Sequence, residues 1–365
     1  MRRILAILVT GMVTIAIGAA PATAAARAPG DVVPAVPVTL PPELATRATA
    51  VRVEYRTTDP AGAAITATGL LLTPLRNRVP KTVVWAHGST GLADRCAPSQ
   101  NAGVFWPEAR QAVAELLRRG WTVAAPDYPG LGTPAPHPYL VGDSEGRAVI
   151  DIVKAARNLD RGLGYAYAID GHSQGGQAAL FAGELAPSYD GPLVLRGVAA
   201  IAPASNVDLL APVIPDTEGK GYLVMGVLGL AAVDPSVNPA ALFAPPAKTQ
   251  DKRDALERGC LYEILAAFAG LSRTDFLVGG NLPDAVVAKL ARRDNPAQRP
   301  SSAPILVVQG TADEAVPADV TGLLVEQLRA YPQPVEVVML EGATHDEAVF
   351  DTTTLVADWI AARLG

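Results

Sequence analysis

Nucleophilic chemistry at neutral pH needs three side chains acting together, and this sequence offers them at Ser173, Asp313 and His345. Ser173 is the centre of Gly171-His172-Ser173-Gln174-Gly175, which follows an apolar run at 165–169 and precedes a small-residue stretch at 177–185. Strand, tight turn and helix in that order describe a nucleophile elbow, with glycines two positions either side of the serine leaving room for the turn. A serine hydroxyl is a weak nucleophile until a base takes its proton, and the base needs a carboxylate to fix its tautomer. In a chain of this kind the acid and then the histidine follow the serine. Of the four histidines, His87 and His137 precede the elbow and His172 lies inside it, so His345 alone qualifies. It sits in Glu341-Gly342-Ala343-Thr344-His345-Asp346, directly after the last strand-like run. Asp313 follows the buried-looking run at 305–309, at the strand end where open α/β sheets place reactive groups. Glu314 and Asp319 are the competing carboxylates, and Asp319 is better suited to cap the next helix.

The oxyanion that develops on an attacked carbonyl needs hydrogen-bond donors already aimed at it. The backbone N–H of Gln174, the residue after the nucleophile, supplies one. The second is expected from His87-Gly88-Ser89-Thr90-Gly91, a glycine-rich loop after the strand-like run at 82–86. Ser89 is the preferred donor, with Thr90 and Gly91 as alternatives.

These residues need a scaffold that brings strand ends together. Hydrophobic periodicity predicts strands at 50–56, 65–72, 82–86, 121–125, 166–170, 196–202, 305–309 and 335–340, with helices at 108–119, 144–159, 177–185 and 355–364. Alternation of this kind implies an α/β fold, a mostly parallel sheet with helices on both faces. Residues 206–300 break the rhythm with a stretch rich in Pro, Gly, Ala and Leu, carrying helical pieces at 252–265 and 283–292. A structureless loop of that length is implausible, so the expected organisation is a core at 49–205 and 301–365 with an inserted helical cap at 206–300. Its apolar segment at 222–233 is too short to span a bilayer.

Residues 1–26 have the layout of a cleaved secretory signal peptide: Arg2 and Arg3, an apolar stretch at 4–20, and small residues up to a cleavage site near 24–26. The proline- and alanine-rich stretch at 27–48 then reads as a flexible leader. A permanent membrane anchor is the alternative. In an oxidising compartment the two cysteines, Cys96 and Cys260, most simply form one disulfide; two separate buried thiols are the alternative. No Cys or His pair sits at ligand spacing, so no metal is expected. The net charge of −6 and the absence of a basic cluster disfavour nucleic acid as a partner.

Together these residues resemble the α/β-hydrolase superfamily over about residues 50–365, and within it the secretory lipase (lipase A type) family. The narrower resemblance rests on Cys96-Ala97-Pro98-Ser99, on Asp127-Tyr128-Pro129-Gly130-Leu131-Gly132 and on residues 139–147, together with the inserted cap and the secretion signal. The resemblance implies hydrolysis of carboxylic esters without a cofactor, Ser173 being acylated and then released by water. It also implies a disulfide from the loop to the cap. The expected partner is a small-molecule or lipid ester, with transient contact of the cap with a lipid interface. An acyltransferase using the same three residues and a serine peptidase of related fold are the alternatives.

Overall fold

The computed structural model describes residues 28–365; the expected signal peptide lies outside them. In chain order the elements are β1 (Val32–Val38), β2 (Ala48–Thr58), β3 (Ala64–Pro74), β4 (Thr82–Ala86), α1 (Pro107–Arg118), β5 (Thr122–Pro126), α2 (Gly142–Leu159), β6 (Ala166–His172), α3 (Gln174–Tyr189) and β7 (Val194–Ile201). The longer helices of the following stretch are α4 (Lys220–Val233), α5 (Gln250–Arg258), α6 (Leu261–Ala269) and α7 (Asp284–Asp294), and the chain closes with β8 (Ile305–Gly310), α8 (Ala318–Arg329), β9 (Val335–Leu340) and α9 (Thr353–Leu364). The strands form one sheet in the order β1-β2-β3-β5-β4-β6-β7-β8-β9. β1, β2, β3 and β5 pair antiparallel, and every pair from β5 through β4 to β9 is parallel.

The parallel centre is buried on both faces because helices cover each one. Tyr167 and Ile169 of β6 join Val149 of α2 and Ala178 of α3 in one core, while Ala168 joins Ala109 of α1 and Val356 of α9 in the other. This alternation explains why β4 and β5 read as continuous apolar runs in the sequence. A third apolar cluster lies in the stretch between β7 and β8, where Val227, Ile264, Phe268 and Phe276 pack together. It joins the main body through Tyr139 and Leu140.

Two expectations need correction. Residues 27–48 are not a flexible leader throughout, because Val32–Val38 forms a strand paired with β2. Without it, the outer edge of the long β2 would present unpaired N–H and C=O groups. Pro34 and Pro37 are tolerated there because an edge strand has no further neighbour needing their missing N–H groups. The helix expected at 252–265 is two helices, α5 and α6, broken at Gly259 and Cys260. Cys260 is extended (φ −105°, ψ −172°) and pairs as an isolated bridge with Gly91. It is also disulfide-bonded to Cys96, with Cα atoms 5.5 Å apart. The Thr90 carbonyl accepts the Leu261 N–H at 2.8 Å beside it.

The loop after β4 is therefore joined to α6 both covalently and through backbone bonds. The disulfide spans 164 residues, and cross-linking a loop of that size contributes on the order of 5 kcal/mol in the chain-entropy model. Paired Cys96→Ser/Cys260→Ser substitution is expected to lower Tm by several degrees or more in a calorimetric scan. An unchanged Tm would show that the tie contributes nothing to stability.

Candidate active site

At the end of β6 the chain turns into α3 through Ser173, whose backbone lies at φ 57°, ψ −117°. A non-glycine residue at positive φ costs on the order of 1–3 kcal/mol, so the neighbours must hold it there. The Ser173 N–H donates to the Ile201 carbonyl at 2.9 Å, and its own carbonyl accepts from Gln177 at 3.0 Å and Ala204 at 3.2 Å. The flanking glycines are required by contact. A Cβ on Gly175 would lie 1.9 Å from the Ala86 carbonyl oxygen, and one on Gly171 would lie 2.2 Å from the Gly175 carbonyl oxygen.

Asp313 lies just beyond β8 with its side chain fully buried. Its Oδ1 accepts the N–H groups of Ala315 and Val316, both at 2.8 Å. Its Oδ2 accepts Nε2 of Gln309 at 3.0 Å and Nδ1–H of His345 at 2.6 Å. Burial works to raise this carboxyl, but the bond and charge of His345 and the other donors outweigh it and hold it below the usual carboxylate range. His345 sits in the turn after β9, and its ring lies 4.5 Å from that of His172, next to Ser173. Elbow, acid loop and histidine loop thus meet at one end of the sheet. Glu314 instead lines the neighbouring cavity, and Asp319 lies in the first turn of α8.

The loop after β4 passes close to the serine: a Cβ on Gly88 would lie 3.5 Å from the Ser173 Cβ. Tyr128 holds this loop by donating its hydroxyl to the His87 carbonyl at 2.9 Å. Ser89 is buried with its hydroxyl 2.6 Å from that of Tyr139, so any donation from Ser89 to a substrate falls to its backbone N–H. Thr90 and Gly91 are turned to the backbone of 260–261. Gln174 begins α3, where the first N–H groups of a helix lack intrahelical partners.

Several supporting groups were not anticipated from the sequence. The Gln174 amide donates to Oε1 of Glu145 at 2.7 Å, and that oxygen also accepts the Leu140 N–H at 2.9 Å. Burial pushes the Glu145 carboxyl up to about 8 against these bonds, and burial pushes His137 down to about 4. The Pro129 carbonyl 2.6 Å from His137 Nδ1 can only accept, so the neutral ring carries its proton on Nδ1. Its Nε2 then accepts from Gln174 at 3.2 Å. Gln309 is aligned by Thr321, whose hydroxyl donates to its Oε1 at 2.6 Å. The one available signal was polarity in an apolar setting: Gln309 lies near the end of an otherwise apolar strand, and Glu145 is in the first turn of a helix with a buried apolar face.

Beside Ser173 lies a cavity of about 150 Å³, walled by Leu140, Val207, Leu210, Leu223 and Leu290 and reached by Gly226 of α4. Apart from the reactive end, its lining is largely aliphatic. The family model for secretory lipases matches residues 99–364. The chain belongs to the secretory lipase family.

A secreted triacylglycerol lipase of Malassezia globosa is 31% identical over 194 residues, which cover 49% of this chain and 40% of that protein. A second secreted triacylglycerol lipase of the same organism is 26% identical over 330 residues, covering 85% and 71%. The matched stretch is thus less than half the length of the first relative. Candida antarctica lipase A in its closed state superposes with a TM-score of 0.74 at 20% identity, over 87% of this chain and 78% of that one. A rice cell wall degrading esterase of Xanthomonas oryzae gives 0.74 at 20%, over 93% and 100%. At these identities the likeness is one of fold, the α/β-hydrolase fold.

The buried carboxyl behind the elbow has a consequence for stability. The folded-state value for Glu145 lies above its ordinary 4.5, so between 4.5 and about 8 the folded protein keeps a proton that the unfolded chain gives up. This contribution is complete below the ordinary value and is lost as pH rises through about 8. Glu145→Gln removes the titration while keeping an amide oxygen for Gln174. The Tm difference, variant minus wild type, is expected to grow from pH 5 to pH 8.5. A pH-independent difference would contradict the assignment.

Proposed function

We propose that this secretory lipase is exported and hydrolyses carboxylic esters through an acyl-enzyme on Ser173, with His345 as base and Asp313 as the orienting acid. The observation that carries the reading is a strained serine lining an apolar cavity, with an imidazole bonded to a buried carboxylate beside the elbow. The Nδ1–H bond to Asp313 leaves Nε2 as the basic nitrogen of His345. That nitrogen takes the Ser173 proton as Oγ attacks the carbonyl carbon. The N–H groups of Gln174 and Ser89 donate hydrogen bonds to the developing oxyanion. Collapse of the intermediate breaks the ester C–O bond, and the imidazolium returns its proton to the departing alcohol. A water molecule, deprotonated by the same nitrogen, then releases the acid and frees Ser173. No step in this sequence requires a cofactor.

The aliphatic cavity supports an acyl group of some length as the occupant, and the helices between β7 and β8 act as its cap. Leu209 and Val213, both exposed and beside the cavity wall, favour transient contact of the cap with a lipid interface. Export rests on the layout of residues 1–26 and on the secreted lipases among the relatives.

Ser173→Ala and His345→Ala are each expected to abolish p-nitrophenyl ester turnover, and Asp313→Asn to lower kcat by roughly 10⁴, with circular dichroism unchanged. Normal rates in either of the first two variants would sink the mechanism. Gly226 offers a second test, because a Cβ there meets nothing within 4 Å although the residue lines the cavity. Gly226→Leu fills that space and is expected to lower kcat/KM for long-chain relative to acetate esters by roughly 10–100-fold. An unchanged chain-length profile would place the acyl group elsewhere.

A further inference from the structure

Behind the histidine loop, on the side of the sheet covered by α1, three groups converge that the proposed reaction does not use. Glu108 is the second residue of α1, His172 is the last of β6, and Asp346 follows His345. One ligand atom from each, two carboxylate oxygens and an imidazole nitrogen, lies within 4.8 Å of both others. Glu108 and His172 are only 5% and 3% exposed, while Asp346 is partly exposed and gives the cluster an opening to solvent.

Buried polar atoms nearly always have partners, yet Nε2 of His172 has none. Its Nδ1 is the nitrogen facing the Gly88 loop, so the orphan nitrogen is on the other side of the ring. Burial, with His345 adding to it, holds this imidazole well below its ordinary value and therefore neutral, the form that binds a metal. Burial also raises the Glu108 carboxyl, and the nearby Asp346 adds to that rise. Two acidic groups against an uncharged imidazole form a donor set that a cation would complete.

We propose that Glu108, His172 and Asp346 form a site for a borderline divalent cation of the Zn²⁺ type. Ligands at the usual Zn–N and Zn–O distances stand about 3.4 Å apart in a tetrahedron, so closure asks for shifts of about an ångström in the carboxylates. One coordination position is left for water on the Asp346 side. Imidazole with carboxylates suits Zn²⁺ better than Ca²⁺, which prefers six or more oxygens. The ion would tie three separate elements together, α1, the elbow strand and the loop carrying His345, and would fix that loop from behind. The ligands stand 64 and 174 residues apart in the chain, so no spacing motif reveals them. The site does not depend on the proposed ester chemistry.

The test is competition between the full-length folded enzyme and a chromophoric chelator for Zn²⁺, with Tm as a second readout and Ca²⁺ as comparator. One Zn²⁺ per chain with a raised Tm is expected, and Ca²⁺ should have little effect. Glu108→Gln and Asp346→Asn should each weaken Zn²⁺ binding by about tenfold or more, whereas His345→Ala should retain it. Asp346→Asn, at a partly exposed position, keeps the test decisive should the α1 variant fold poorly. Absence of stoichiometric binding to the wild type would overturn the proposal. So would loss of binding in His345→Ala with retention in the other two variants, which would put the ion on the His345–Asp313 pair.

Discussion

The rest of the structure is arranged around the backbone of Ser173, held at positive φ between a strand end and a helix start. The conformation is unfavourable in isolation and persists only because its surroundings over-determine it. β6 must sit between β4 and β7, because the Ala86 carbonyl limits Gly175 and the Ile201 carbonyl receives the serine N–H. The parallel centre of the sheet therefore serves as a jig. Fixing three neighbouring strand ends aims the hydroxyl at the cavity and the first N–H groups of α3 beside it.

Fixing the elbow so rigidly has a cost in buried polar groups. Gln174 and Gln177 begin a helix sealed against α2 and the cap, and their amides cannot reach water. Their amide N–H groups donate instead to Glu145, to the Leu140 carbonyl and to the Asp294 carbonyl. Unpaired amides of this kind would each cost about 1–3 kcal/mol. The solution introduces a buried carboxyl at Glu145, raised by burial and most economically kept protonated. Residues 140, 177 and 294 thereby link the main body and the helical insertion through a shared polar seam as well as through apolar packing.

The second link is the Cys96–Cys260 disulfide and the Gly91–Cys260 bridge, which fasten α6 to the loop that runs past the serine. With both links in place, α4 presents an apolar face whose glycine at 226 is open to the cavity. That space is shaped jointly by the insertion and by main-body residues such as Leu140 and Val316, while the candidate triad belongs to the main body.

The strands, the flanking helices and the triad candidates were legible in the sequence, because burial on both faces writes continuous apolar runs and because only one histidine follows the elbow. The glycines at 171 and 175 were legible for a similar reason: local backbone crowding tolerates no other residue. The edge strand at 32–38 was not, since its pairing partner is supplied by β2 and its own residues are exposed. Nor was the break at Gly259 and Cys260, where a contact with Gly91, far away in the chain, overrides helical periodicity. The roles of Gln309, Glu145 and His137, and the meeting of Glu108, His172 and Asp346, belong to the tertiary structure alone. Local sequence determines which segments must bury an apolar face or turn sharply. Hydrogen bonds, charges and cavities between residues distant in the chain exist only once the sheet order and the insertion bring them within a few ångströms.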